Sequence, residues 1–344
     1  MPPRQDSDGL WNVAAATAEQ LRSGVERARQ ELRLDRSDRP RSIVITGMGG
    51  SGIAGDVVAA VVATESPILV TALRGYHLPA WVGKDDLVVA ASFSGNTEET
   101  LSVASHAFER GCRVVALTQG GQLGQLAQSH SATVVSLPTD LVQPRSALAA
   151  LVAPLLVLVD QLGLWAEADA HIDAAVAQLS ARAAELTSPD SPAAEFARRV
   201  GHTWPLVYGG DALGEVAARR WKGQFNENSK IPSFFNGSPE LCHNEIVGFG
   251  QHGDVTRQVL TLVFLRHDFE HPQTARRFEF VARLLDETVA SVQTIRAAGD
   301  GRLAQFFDLA LIGDFASLHL AFDAGLDPGP VPVLGELKSW LATR

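Results

Sequence analysis

The sequence predicts an α/β protein built as two tandem doubly wound sandwiches with mainly parallel sheets, followed by C-terminal helices. Three observations predict it. From Ser42 onward, short β-branched runs alternate with longer helical segments. Those runs lack the period-2 polarity of a half-exposed strand, as expected where helices cover both faces of a sheet. A second series of such runs resumes after a helical stretch of about fifty residues.

Residues 1–34 read as a lead-in helix that begins with MPPRQDSDGL, a stretch with charges of both signs and no apolar h-region. It is not a signal peptide, and its first residues are expected to fray. The first sandwich, residues 35–150, takes its strands from Ile43–Thr46, Ile68–Thr71, Leu87–Ala90, Arg113–Ala116 and Thr133–Val135. Residues 151–200, rich in Ala and Leu, form a helical connector. The second and less regular sandwich, residues 201–302, draws on Pro205–Gly210, Val259–Phe264 and Ser291–Ile295. Residues 303–344 are a helical tail, broken at Asp327-Pro328-Gly329-Pro330. Ile45-Thr46-Gly47-Met48-Gly49-Gly50 and Val207-Tyr208-Gly209-Gly210-Asp211 are faintly alike, a hint of internal duplication.

Composition narrows the function. With 29 Lys and Arg against 39 Asp and Glu, the formal charge of -10 argues against the basic surface that nucleic-acid binding needs. Two cysteines, Cys112 and Cys242, build neither a disulfide framework nor a zinc site and suit a reducing cytoplasm. The histidines and cysteines are scattered rather than spaced for metal, so no metal is expected. The longest uncharged apolar run, Leu148–Val159, falls short of the roughly 20 residues of a membrane span. No membrane partner is expected.

Gly47-Met48-Gly49-Gly50-Ser51-Gly52 follows a strand, opens a helix and satisfies G-x-G-x-x-G. The second strand, however, ends in Thr71-Ala72-Leu73-Arg74 without the acid that holds a ribose, which disfavours NAD. Arg74 keeps an NADP reading open, and close helix packing is the bland alternative. Free N–H groups at a helix start, with the Ser51 hydroxyl, suit a phosphate. A second loop, Ser92-Phe93-Ser94-Gly95-Asn96-Thr97, crowds hydroxyls at another helix start and carries no Walker lysine. That pattern suits a sugar monophosphate, although Asn96 and Glu99 could simply form a capping box.

Together the two loops resemble the sugar-isomerase (SIS) domain, which implies SIS-type sandwiches and phosphosugar binding at the carboxyl ends of a parallel sheet. Ala218-Arg219-Arg220-Trp221-Lys222, Phe225-Asn226-Glu227-Asn228-Ser229-Lys230, Pro239-Glu240-Leu241-Cys242-His243-Asn244-Glu245 and Leu337-Lys338 narrow the resemblance to the bifunctional phosphoglucose/phosphomannose isomerase family. The resemblance implies a metal-independent and cofactor-free aldose–ketose isomerase. Its substrates would be fructose 6-phosphate and glucose 6-phosphate, mannose 6-phosphate, or both, joined by a cis-enediolate.

The same resemblance implies the roles. Glu227 is the base, for which a solvated loop glutamate is the alternative. His243 opens the ring and comes from the neighbouring subunit of an obligate homodimer. Arg145 stabilises the enediolate, Lys338 assists ring opening, and Gly50, Ser51, Ser92, Ser94 and Thr97 hold the phosphate. Two departures stand out: Cys242 precedes the histidine where relatives carry a polar residue, and Gly329 stands where many have a threonine associated with room for both C2 epimers. They motivate a second reading, a non-catalytic phosphosugar-binding regulatory protein of the SIS class. A dehydrogenase using NADP is a residual third.

Overall fold

The computed structural model describes residues 5–252 and 254–343. In the first sandwich β1 (Ser42–Thr46), β2 (Leu69–Leu73), β3 (Leu87–Ala91), β4 (Arg113–Thr118) and β5 (Thr133–Ser136) form one sheet in the order β2-β1-β3-β4-β5. Every pairing in it is parallel. β1 and β3 are buried along their whole length, which explains the missing polar alternation. Helices α1 (Leu10–Ala15), α2 (Thr17–Glu31), α3 (Gly49–Val62), α4 (Glu98–Glu109), α5 (Gly121–Ser129) and α6 (Leu148–Gln161) belong to this half. α6, the apolar run of the sequence, packs on α2 and α3 with every residue from Leu148 to Val159 buried.

Two more helices, α7 (Ala168–Leu186) and α8 (Pro192–Val200), lead to the second half. There β6 (Trp204–Gly210) is followed by α9 (Asp211–Glu227), β7 (Phe234–Ser238), the short α10 (Val255–Val259), β8 (Leu260–Arg266), α11 (Pro272–Leu285) and β9 (Ser291–Arg296). The sheet is again all parallel, in the order β7-β6-β8-β9. β7 is the strand the sequence reading misses. It is a short edge strand whose Phe-Phe-Asn-Gly-Ser offers only two apolar residues before a turn-like pair.

The hint of duplication gains substance here, because the order β7-β6-β8-β9 repeats β2-β1-β3-β4. The strand-to-helix turns match as well. A Cβ on Gly52 would meet the Gly47 carbonyl oxygen at 2.6 Å, and a Cβ on Gly209 would meet that of Gly214 at 1.9 Å. In both halves a glycine pair five apart lets the helix start against the strand end.

The tail holds α12 (Gly301–Asp323) and α13 (Pro332–Ala342). α12 is no appendage: it packs against α7, α8 and α9 and is buried from Leu303 to Ala321. Its length and mean hydropathy match a membrane span, yet its apolar window is 100% buried, as befits a core helix. Gly313 on α12 seats Trp221 of α9, whose indole donates to the Leu309 carbonyl at 2.7 Å. Truncating Trp221 to alanine would cost about 3–5 kcal/mol.

The first four residues, on which the expected fraying falls, lie outside the described residues; from Asp6 onward the segment makes specific contacts. The Asp6 carboxylate accepts from the Leu10 and Trp11 N–H groups at 2.7 and 2.9 Å and so caps α1. The Ser7 N–H reaches Asp327 at 3.3 Å.

Candidate active site

In the first sheet the chain reverses its direction of winding between β1 and β3, which are hydrogen-bonded neighbours. Ligands of open α/β sheets bind outside the carboxyl ends of the strands at such a switch point. Both hydroxyl-bearing loops leave from there. Gly47–Ser51 runs from β1 into α3, and Ser92–Thr97 runs from β3 into α4, so two helix N-termini face the same crevice. Ser51 and Ser92 are buried, and Ser92 Oγ lies 2.8 Å from Thr97 Oγ1, while Ser94 is exposed. The capping box does not form: Thr97 is the residue before α4, and Asn96 Oδ1 instead accepts from the Gln122 N–H at 3.1 Å.

Beside this crevice lies a cleft with about 280 Å³ of free space, close to the lower end of the ~300–1,000 Å³ of small-molecule sites. The first turn of α3 supplies Gly49 and Gly50, and a Cβ on Gly50 would meet the Pro144 carbonyl oxygen at 2.5 Å. That close approach brings the short 3-10 turn Pro144–Ser146, with Arg145, against α3. α9 supplies Arg219, Gly223 and Glu227, successive turns of one helix face. Glu227 is therefore the last residue of a helix, not a solvated loop glutamate.

Arg145 is buried and hydrogen-bonded through all three of its guanidinium nitrogens. Nε donates to Asn228 Oδ1 at 2.8 Å, Nη1 to Gln143 Oε1 at 2.9 Å, and Nη2 to the Pro328 and Gly329 carbonyls at 2.8 and 2.7 Å. Nη1 also stands 3.6 Å from Glu227 Oε2. Burial pushes the Arg145 guanidinium below its usual range, and Glu227 and Asp8 push back. A guanidinium stays protonated in a protein. The pair is thus a fixed cation beside a carboxylate that is 36% exposed and can reach a ligand in the cleft.

Several cleft residues are given no part in isomerisation by the sequence reading. Arg74, weighed there for a 2′-phosphate, is instead paired with Asp56 on α3. Arg219 lies 3.9 Å from the same carboxylate and 4.9 Å above the Phe235 ring. Arg220 and Lys222 also line the cleft. The available signal was the helical spacing of Arg219 and Arg220 relative to Glu227. Lys230 lies close by, its amine bonded to the Glu227 and Pro328 carbonyls and held below the usual lysine range by burial and by Arg145.

Of the expected residues, Gly50, Arg145 and Glu227 line this cleft; Ser51, Ser92, Ser94 and Thr97 sit in the switch-point loops beside it, and His243 and Lys338 do not line it in the single chain. His243 ends the 3-10 turn Glu240–His243 and is exposed. The segment behind it is pinned by Glu245, which accepts from the buried Tyr208 hydroxyl and from Asn236. Lys338 is exposed on α13. Among the described residues, no three His, Cys, Asp or Glu side chains gather as metal ligands would.

Residues 38–162 match the family model of the SIS domain, and residues 189–341 match that of the bacterial phospho-glucose isomerase C-terminal SIS domain. The chain is 39% identical over 308 residues to the bifunctional phosphoglucose/phosphomannose isomerase of Caldicellulosiruptor bescii, spanning 87% of this chain and 89% of that one. The enzyme of the same name from Thermoplasma acidophilum is 33% identical, over 90% and 94% of the two chains. Solved structures share the fold at lower identity. Tagatose-6-phosphate ketose/aldose isomerase from Escherichia coli superposes with a TM-score of 0.65 at 18% identity, over 94% of this chain and 92% of that one. The C-terminal domain of glucosamine-fructose-6-phosphate aminotransferase from Francisella tularensis gives 0.69 at 14%, over 92% and 97%. Sequence identity along nearly the whole chain, carried on two SIS sandwiches, establishes that this chain belongs to the bifunctional phosphoglucose/phosphomannose isomerase family.

Proposed function

We propose that the chain is an aldose–ketose isomerase that interconverts fructose 6-phosphate with glucose 6-phosphate, mannose 6-phosphate, or both. The observation that carries this reading is the Glu227 carboxylate 3.6 Å from the buried Arg145 guanidinium, in a cleft that Gly49 and Gly50 at the N-terminus of α3 also line. In the proposed mechanism the phosphate sits at the N-termini of α3 and α4, held by Gly50, Ser51, Ser92, Ser94 and Thr97. Glu227 takes the proton from C2, the C–H electron pair becomes the C1–C2 double bond, and the carbonyl oxygen at C1 takes the negative charge. Arg145, fixed beforehand by four hydrogen-bond acceptors, meets that charge without reorganising. The proton of the C2 hydroxyl passes to the C1 oxygen, which leaves the charge on O2. O2 then forms the C2 carbonyl as the electron pair of the C1–C2 double bond takes the proton back from Glu227 at C1.

His243 and Lys338 serve ring opening, and a second copy of the chain brings His243 to the cleft. The support is that His243 is exposed on a pinned segment and that the chain exposes apolar side chains on two helices. Val333, Leu334, Leu337 and Leu341 form an exposed stripe along α13, and Phe280 and Leu284 are exposed on α11. The chemistry rests on side chains alone, with no metal and no cofactor. Cys112 and Cys242 are free thiols, which suits a cytoplasmic location. A purely regulatory phosphosugar-binding protein would have no use for a base and a cation set against each other, so that reading is not favoured. Turnover of either aldose phosphate by wild type, absent in Glu227→Gln, tests the proposal.

A further inference from the structure

We infer that Asp8 is a positioning residue of the cleft, and that residue 329 is glycine because the Asp8 carboxylate occupies the space a side chain there would need. The catalytic half of this inference rests on the isomerase reading; the steric half does not.

Four groups stand in a row. Asp8 Oδ2 accepts from Gln143 Nε2 at 2.6 Å, Gln143 Oε1 accepts from Arg145 Nη1 at 2.9 Å, and Nη1 is 3.6 Å from Glu227 Oε2. A carboxylate only accepts, so Asp8 can meet Gln143 only through its NH₂ group. That contact turns the amide oxygen toward Arg145. Were the amide reversed, its NH₂ would face the Nη1 donor, and the guanidinium would lose an acceptor on the side next to Glu227.

Asp8 is itself held. Asp6 caps α1 on one side, and on the other the Ser7 N–H meets Asp327, whose same oxygen accepts from the Gly329 N–H at 3.0 Å. The segment is thereby tied to the loop whose Pro328 and Gly329 carbonyls bind Arg145.

Gly329 is not in the left-handed backbone region, so nothing in its φ calls for glycine. Its neighbour does. A Cβ at 329 would lie 2.7 Å from Asp8 Cγ and 2.8 Å from Oδ2. The atoms able to yield are those of the Asp8 carboxyl, and yielding takes them off Gln143. Any side chain at 329 thus disconnects Asp8 from the row.

The test compares fructose 6-phosphate formation and thermal unfolding of the full chain in wild type, Asp8→Ala, Asp8→Asn, Gly329→Ala and the Asp8→Ala/Gly329→Ala pair. Asp8→Ala is expected to lower kcat about tenfold with KM within about twofold, the signature of a misplaced group rather than lost binding. Asp8→Asn keeps an acceptor for Gln143 and recovers most of that loss. Gly329→Ala matches Asp8→Ala, and the double variant is no worse than either. A wild-type kcat in Asp8→Ala, an equal loss in Asp8→Asn, or losses that multiply in the double variant overturn the inference. If Asp8→Ala does not fold, Gly329→Ala against Asp8→Asn decides: a full kcat in Gly329→Ala overturns it. If wild type turns over neither sugar, the isomerase reading falls and the unfolding midpoints test the steric half. Gly329→Ala should then lower the midpoint in wild type and not in Asp8→Ala, and equal shifts in both would contradict it.

Discussion

Arg220 Nη2 donates to the main-chain carbonyl of Arg145 at 3.0 Å, so a helix of the second sandwich fixes the backbone of a cleft residue contributed by the first. The same nitrogen meets the Asp314 carboxylate of α12 at 2.6 Å, and Gln224 takes the other carboxylate oxygen at 2.9 Å. Asn228, which holds Arg145 Nε, is held in turn by Ser317 of α12 at 2.9 Å. The buried core helix therefore braces the residues that hold Arg145. Burial pushes the Asp314 carboxyl above its usual range, and Arg220 opposes that push.

Removing Asp314 leaves the buried Arg220 guanidinium without its counter-charge. Asp314→Ala should destabilise the fold by about 3–5 kcal/mol, the cost of a buried charge stripped of its partner. Urea unfolding of the variant against wild type measures it, and a loss under about 1 kcal/mol would mean that Arg220 finds water instead.

The proposed crossing of His243 between subunits can be read by complementation. Glu227→Gln and His243→Ala should each be inactive alone. Mixed after dissociation and reassociation, they should recover about a quarter of wild-type activity, because half of the dimers are mixed and each of those holds one intact site. No recovery, with mixed dimers demonstrated, would put His243 and Glu227 to work within one chain or not at all.

Ser92 is buried with its hydroxyl toward Thr97 at the switch-point loop. Ser92→Ala should raise KM for hexose phosphates about tenfold with kcat changed far less, since phosphate is bound equally in the ground and transition states. A kcat loss without a KM change would remove Ser92 from the cradle.

His267 gives the fold a pH dependence away from the cleft. Its Nε2 lies 2.8 Å from the Gly210 carbonyl and its Nδ1 accepts from the Phe269 N–H at 3.2 Å, a pattern that only the neutral ring with its proton on Nε2 satisfies. Burial holds its pKa below the ordinary 6.5. The Gly210 carbonyl, Glu270 and Asp211 push the other way, and Arg302 adds to the lowering. Between the folded and unfolded values the unfolded chain binds more protons, so stability is fully present above about 6.5 and is lost as pH falls through the lowered folded value. Urea midpoints at pH 7.5 and 5.5 should show the decline, and His267→Gln should flatten it. An unchanged slope in that variant would assign the decline to other groups.

The alternation of buried strands and helices is written in the sequence because a parallel sheet covered on both faces demands continuous β-branched runs, as in Ile43–Ile45 and Leu87–Ala90. The two loops are equally legible, since glycine and hydroxyl residues at a strand-to-helix turn serve few purposes. β7 was not legible, because an edge strand needs little apolar sequence. The central role of α12 was hidden because position along the chain says nothing about depth in the fold. The contacts of Asp8 with Gln143 and of Arg220 with Arg145 join residues far apart in sequence, and neither has a local pattern that announces it.

The most direct test of the central claim is a coupled assay of purified protein, in EDTA, with glucose 6-phosphate and mannose 6-phosphate in parallel, following fructose 6-phosphate in wild type and Glu227→Gln. The account predicts turnover of at least one sugar by wild type and a loss of about 10²–10⁴-fold in the variant, the share expected of a general base. Binding of a hexose phosphate with no turnover of either sugar by wild type would contradict it.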